Sequence, residues 1–222
     1  MVRQGSRYAL TASPQEVQAV FGYADEVDFP PRYNIAPPQP IAVVHQLHGA
    51  RHFTLMRWGF VPGWVKDPRE ISLLATARAE TVSERPAFSA AFRRRRALMP
   101  ASGFYAWRRG PNRQRQAYFV RPPAAGPIAL AGLWETWCGA DGSEVDTACL
   151  FTIEAAPGLA EIADRVPVII APGDFERWLG PDEAAADLLR PASPAAFAVE
   201  PVSSRVDSPR NEGPDLVAPV AG

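Results

Sequence analysis

The chain is poor in the residue types that most simple functional readings need. It has two cysteines, Cys138 and Cys149, and three histidines in 222 residues. Two cysteines without a CxxC spacing make neither a disulfide framework nor a zinc site, so no metal is expected. No stretch approaches the ~18–20 apolar residues of a membrane helix. The start, MVRQGSRYAL, lacks the apolar segment of a secretory signal. No membrane partner and a cytoplasmic setting are the expectations. Lysine is nearly missing as well: among 23 Lys and Arg residues only Lys66 is a lysine. Acids are absent from one whole block. Arg85 to Arg121 contains ten arginines and no Asp or Glu, whereas Asp141 to Arg190 contains eleven acids and three arginines. The net charge of −1 hides this segregation. Arginine forks bind phosphate bidentately, so the basic block reads either as a solvated face or as a surface for a polyanion.

What is present suits one ordinary core. A length of 222 residues at 47% hydrophobic composition predicts a single domain over 1–222, with a Pro-rich tail packed as an extended cover from about Asp207. Ser13-Pro14-Gln15-Glu16 carries a helix start, with Ser as cap, Pro in the first turn and Glu three residues after the cap, and the helix should run to about Phe21. Ile41–Leu47 and His52–Trp58 read as a hairpin joined through His48-Gly49. Pro86–Phe92 reads as one or two helical turns running into the cluster Arg93–Arg96, taken as solvated. Short strands follow at Ala97–Met99, Phe104–Trp107, Tyr118–Arg121, Ile128–Leu133 and Cys149–Glu154. Pro167–Ile170 reads as one buried strand, Pro172–Leu179 and Asp182–Leu189 as helices, and Phe197–Val202 as the strand that closes the sheet. Many short strands with few helices predict an α+β fold on a curled, mostly antiparallel sheet or barrel.

Eight segments, in this order and spacing, carry a resemblance across nearly the whole chain. They are RYNIAPPQ (32–39), MRWGFVPGWVKD (56–67), ARAETV (77–82), RPAF (85–88), RRALMPASGFYAW (95–107), AGLWETW (131–137), ADRVPVII (163–170) and SPRNEGP (208–214). Together they resemble the SOS-response-associated peptidase (SRAP) family of abasic-site processing proteins. That resemblance implies binding to single-stranded or junction DNA at an abasic site in the SOS DNA-damage response. It implies an N-terminal Cys, exposed by loss of the initiator Met, whose amine and thiol close a thiazolidine on the sugar aldehyde, giving a DNA–protein crosslink. Asn, Glu and His residues position the sugar and move protons, and peptidase and lyase activities share the site. No cofactor is implied.

This sequence departs from that pattern at each chemical position. The family's Cys falls on Gly5 in the motif register, or on Val2 counted from the terminus. Its Asn before ARAET is Thr76, its Glu between Tyr105 and Trp107 is Ala106, and its His before Asp164 is Ala163. Neither Gly5 nor Val2 supplies a thiol, and alanine cannot transfer a proton; loss of one general acid or base commonly costs ~10²–10⁴-fold in rate. The groups that would hold DNA remain. Arg7, Arg78, Arg85 and Arg165 match arginines expected at phosphates, Trp64 resembles an aromatic wedge, and Trp107 is placed to stack. Asn34 reads equally as a site residue or as a turn residue bonding its own backbone. Arg165 has Asp164 as an alternative partner, and Arg78 has Glu80. Asp164 is also a possible residual base. Trp58 and Trp134 read as core, Cys149 as core and Cys138 as a hairpin edge. His45, His48 and His52 lie together on the predicted hairpin, outside every matched motif.

The leading expectation is a DNA-binding pseudoenzyme of the family, cytoplasmic and nucleoid-associated when on DNA. One alternative is a residual enzyme using the N-terminal amine for Schiff-base lyase or peptidase chemistry. A second is a pocket repurposed for another ligand or a protein partner.

Overall fold

The computed structural model describes residues 6–110, 115–124, 126–181 and 183–220. Helix α1 (Pro14–Phe21) starts where the sequence placed it: Ser13 accepts from the Glu16 backbone N–H, and Glu16 accepts in return from the Ser13 backbone. Gly22, at φ 67°, ends the helix in the left-handed conformation that glycine takes without strain. The next segment passes through the short strand β2 (Arg32–Ile35) into the hairpin β3 (Pro40–Leu47) and β4 (Ala50–Trp58). His48 and Gly49 at its tip both have positive φ, 50° and 83°, as a two-residue turn matched to strand twist requires.

The remaining strands are β1 (Tyr8–Leu10), β5 (Thr76–Arg78), β6 (Arg96–Ala101), β7 (Gly103–Arg109), β8 (Arg115–Arg121), β9 (Ile128–Cys138), β10 (Glu144–Glu154), β11 (Arg165–Pro167), β12 (Ile169–Ile170) and β13 (Ala198–Val202). They make the mostly antiparallel α+β architecture that the sequence predicts. The pairings β10–β4–β3–β6–β9 return to β10 and close a five-stranded barrel, parallel only between β4 and β10. A second, open sheet has the order β13–β8–β7–β1–β2. β13, expected to close the sheet, lies at an edge of it, paired to β8 and, through the single bridge Val202–Pro219, to the tail.

The barrel opens where β9 and β10 part company beyond Gly132 and Leu150. Gly132 is crowded there: a Cβ would lie 2.2 Å from the Cys149 carbonyl oxygen and 2.7 Å from the Met99 methyl. The segment 165–170 fills the fork. β11 pairs with β10, β12 pairs with β9, and Val168 between them donates to Phe151 O at 3.0 Å and accepts from Ala131 N at 2.8 Å. The expected single strand at Pro167–Ile170 is thus two short strands serving two different partners.

α2 spans Ser89–Arg94, the expected one to two turns but beginning three residues later than Pro86. The later helices are shorter than the sequence suggests: α3 spans only Phe175–Leu179, preceded by a 3-10 turn at Pro172–Asp174. Residues 183–188 form a 3-10 turn in place of the expected helix, whose first residue, Asp182, lies outside the described residues. The tail also departs from an extended cover, with 3-10 turns at Ser204–Asp207 and Pro214–Leu216. Arg96 leaves the solvated cluster expected for Arg93–Arg96. It is buried, and its guanidinium donates to Trp178 O at 2.6 Å and to Gly180 O, capping the carbonyl end of α3, and to Phe92 O at 2.9 Å. Among the described residues no helix is long and apolar enough to cross a membrane.

Gly132→Ala tests the fork. The added methyl meets a backbone oxygen and two Met99 atoms that cannot all retreat, and overpacking of this kind costs about 1–3 kcal/mol or more. Thermal unfolding should show a midpoint lowered by several degrees, whereas Gly173→Ala, where a Cβ meets nothing within 4 Å, should leave it unchanged.

Candidate nucleic-acid interface

One edge of β10 organises the exposed part of the site. Gly59 N donates to Ala148 O at 2.9 Å, the chain leaves, and it returns to the same edge where Leu150 N donates to Ala75 O at 3.1 Å. The loop between them is pinned at its base. Phe60 N donates to Leu74 O at 3.0 Å, Val61 N to the Thr147 hydroxyl at 3.0 Å, and Trp137 Nε1 to Val65 O at 2.7 Å. At its outer end Trp64 is 67% exposed. A large apolar ring held out on a pinned loop suits stacking on a flat ligand.

Past the loop, β5 runs along β10 with Thr76 opposite Leu150 and Arg78 opposite Thr152. Arg78, Thr81, Glu84, Arg85 and Pro86 line an open cleft of about 580 Å³. Among the described residues, neither the Arg78 nor the Arg85 guanidinium has an acidic or hydrogen-bonded partner. The alternative pairing of Arg78 with Glu80 does not occur, because Glu80 is engaged elsewhere. Its Oε2 accepts from Arg165 Nη2 at 2.7 Å and its Oε1 from Glu154 N at 3.1 Å. Arg165 also donates to the Thr152 hydroxyl at 3.1 Å and to Thr152 O at 2.6 Å. The acid that pairs with Arg165 is therefore Glu80 and not the exposed Asp164. The Arg165 hydrogen bond holds the Glu80 carboxyl down to about 2.

Arg7, Asn34 and Trp107 meet in a different place, under the C-terminal segment. Asn34 is 1% exposed; its Oδ1 accepts from Arg7 Nη1 at 3.0 Å and its Nδ2 donates to Ser208 O at 2.9 Å and Asn211 O at 3.0 Å. It is no local turn residue: the carbonyls it donates to lie more than 170 positions away. Arg7 donates further to Val206 O at 2.6 Å and Asp207 O at 3.3 Å, and burial lowers its pKa. Trp107 Nε1 donates to Asp207 Oδ1 at 2.7 Å, and Arg115 meets Asp207 Oδ2 at 2.8 Å. These side chains clamp the tail onto β1, β2 and β7.

The alternation along β7 explains why Trp107 and its neighbour part. Tyr105 and Trp107 pack with Ala117, Val206 and Leu216 on one face, while Phe104 and Ala106 join the main core on the other. Ala106, 4% exposed, has Tyr118 directly opposite it. Tyr105 N donates to Arg7 O at 3.0 Å, and continuing that register places Ser6 opposite Ala106 on the other side. Ala163 is half-buried against the same core, and Thr76 is half-buried on β5. None of Thr76, Ala106 and Ala163 carries an acid or a base. Gly5 lies outside the described residues.

Elsewhere, Trp58 and Cys149 are fully buried, as expected, and burial pushes the Cys149 thiol up. Trp134 is half-buried, with the His45 ring at 4.6 Å and the Arg95 guanidinium at 5.7 Å. His45 bonds the Thr54 hydroxyl at 3.0 Å and His52 contacts Asp25 at 3.4 Å. Among the described residues no group of three metal-ligating side chains occurs.

The Glu80–Arg165 pair predicts a pH dependence. The Glu80 pKa falls from 4.5 to about 2 on folding, so the contribution of the pair is complete above pH 4.5 and is lost as pH falls toward 2. Both side chains are partly exposed, Arg165 26% and Glu80 40%, so the effect is modest. Urea midpoints should separate wild type from Glu80→Gln at about pH 6, draw together below pH 4.5 and converge only toward about pH 2; a gap that stays constant across that range refutes the assignment.

Known proteins share this fold and sequence pattern. The sequence profile described as "SOS response associated peptidase (SRAP)" matches residues 5–209. The abasic site processing protein YoqW of Bacillus subtilis is 31% identical over 199 residues, covering 88% of this chain and 89% of YoqW. The abasic site processing protein YedK of Escherichia coli is 27% identical over 227 residues, covering 96% and 99%. A crystal structure of a Bacteroides thetaiotaomicron protein superposes with a TM-score of 0.85 over 97% of this chain and 99% of that one, and at 20% identity it bears on the fold alone. The chain belongs to the SOS-response-associated peptidase family.

Proposed function

We propose that this protein binds single-stranded or junction DNA, including abasic DNA, as a one-domain member of its family that does not crosslink to the lesion. Its place in the cell is then the cytoplasm, on the nucleoid when bound. The observation that carries the reading is the pair Arg78 and Arg85, two guanidiniums without acidic partners in an open cleft. Exposed Trp64 adds a stacking surface. The names of YoqW and YedK connect such a fold with abasic DNA. Arg165 keeps Nη1 and Arg7 keeps Nε without a partner among the described residues, so each retains a donor for a phosphate while fixing the frame. Trp107, tied to Asp207, offers only the remainder of its ring.

The absence of crosslinking follows from the side chains. A thiazolidine needs an amine and a thiol on one residue, and neither Val2 nor Gly5 has a thiol. Proton transfer needs a titratable group, and Ala106 and Ala163 offer only methyls. Of the competing readings, amine chemistry from the N-terminus is the one a single assay separates from binding.

Fluorescence anisotropy with a labelled single strand should show binding whose log affinity falls linearly with log salt. Arg78→Glu and Arg85→Glu should each weaken it about tenfold or more at ~50 mM salt. Abasic oligonucleotide incubated with the protein should run free on a denaturing gel, with and without borohydride. A band surviving denaturation would restore the enzyme, and binding indifferent to both charge reversals would remove DNA from the account.

A further inference from the structure

Five arginines lie over aromatic rings among the described residues: Arg51 over Phe175, Arg95 over Trp134, Arg96 over Phe92 and Trp178, Arg108 over Tyr118, and Arg115 over Trp107. In four of them the guanidinium is also engaged at its donors. Arg51 pairs with Glu176 and donates to Phe21 O. Arg95 pairs with Glu135, Arg96 caps α3, and Arg115 pairs with Asp207. Arg108 is the exception. It is exposed, its Cζ lies 5.4 Å from the Tyr118 ring centre, and among the described residues no acid or carbonyl accepts from it.

The position of this pair gives it meaning. Side chains alternate along a strand, so Arg108 lies on the face of β7 that carries Ala106 and opposite to that of Trp107. Tyr118, half-buried, is directly across from Ala106, and Gln116 is directly across from Arg108. One face of the open sheet therefore runs from buried Ala106, through half-buried Tyr118, to an exposed guanidinium with free donors. Ala106, buried, offers a ligand nothing. A planar cation on an aromatic ring does recognise a nucleobase, which stacks on guanidinium planes and on aromatic rings alike, and the free N–H groups suit the adjoining phosphate.

We propose that Arg108 and Tyr118 form a stacking platform for an unpaired, base-bearing nucleotide, so that this face takes intact single-stranded DNA and not only a strand that lacks a base. The inference rests on the DNA-binding reading above and adds to it a contact for the bases. The ring holds the guanidinium flat, the guanidinium carries the base, and the outer N–H groups reach the phosphate.

The test compares the full chain and two variants on two probes, an oligothymidine and a same-length polymer of abasic tetrahydrofuran phosphates. Arg108 is exposed, so both variants should keep the wild-type melting temperature. Arg108→Gln removes the charge and the planar cation and should weaken oligothymidine binding about 5- to 20-fold, given the energy of stacking per base. Arg108→Lys keeps the charge and should show most of that loss with an unchanged salt slope. On the base-free polymer Arg108→Lys should bind as wild type does. Equal losses on both probes would reduce Arg108 to a phosphate contact and overturn the platform. Variants that bind oligothymidine like wild type would also overturn it while Arg78→Glu still loses binding, which leaves the DNA reading intact. A wild type that ignores both probes would sink the DNA reading and the platform with it.

Discussion

Strand β10 outlasts the barrel it belongs to, and the groups that face solvent at this end of the molecule depend on that. Up to Leu150 it is a barrel stave, paired to β9 on one edge and to β4 on the other. Beyond that point both partners diverge and two short strands take their place, β5 on one edge and β11 on the other. A strand of three residues is not stable alone. Each of these is held because β10 presents unpaired backbone groups that would otherwise be left unsatisfied. The handover from β4 to β5 forces the chain into the loop that lifts Trp64, and it sets Arg78 at the mouth. The handover from β9 to β11 sets Arg165. Glu80 and Arg165 then close a bridge across β10, with Thr152 beneath it as a shared partner.

The same economy sorts the arginines. A guanidinium removed from water without partners carries a large penalty, so Arg96, buried, is bonded to carbonyls, and Arg7, half-buried, is bonded to Asn34 and the tail. These charges are part of the architecture. Arg78, Arg85 and Arg108 are not, because removing them would leave no buried group unsatisfied. Positive charge placed at a cleft and on a ring without internal use is what a polyanion-binding surface requires. The basic block noticed in the sequence is therefore two populations, one consumed by the fold and one left facing outward.

Local signals in the sequence read well, and long-range ones did not. The capping box at Ser13 and Glu16 and the His48-Gly49 turn are specified by residues three apart or adjacent, and both formed as expected. β2 and β5 escaped because three or four residues give no period to count. The strand at Pro167–Ile170 split because its run of apolar residues says it is buried but not that two partners share it. Arg7 and Asn34 bind carbonyls of residues 206–211, a pairing that no local pattern encodes. Arg165 was legible as a paired cation, but the nearest acid in sequence, Asp164, points to solvent while Glu80 arrives on a separate strand. No local pattern singles out Arg108, whose significance lies in a cross-strand contact with Tyr118.

The alanines show why chemistry and fold separate easily here. Ala106 is nearly fully buried on a strand packed into the main core. A carboxylate at that position would have to be desolvated, at a cost the fold does not recover unless a partner is supplied. A methyl there removes the penalty and keeps the strand register, since the ladder to β8 is made by backbone. Active sites commonly hold groups that stability alone would not choose. Loss of such a group relieves the fold, whereas loss of Asn34 or Gly132 would damage it. In a scaffold built this way, β10, the pinned Trp64 loop and the arginines at the mouth are held by contacts that do not pass through Ala106, so the residue at that position can vary without disturbing them.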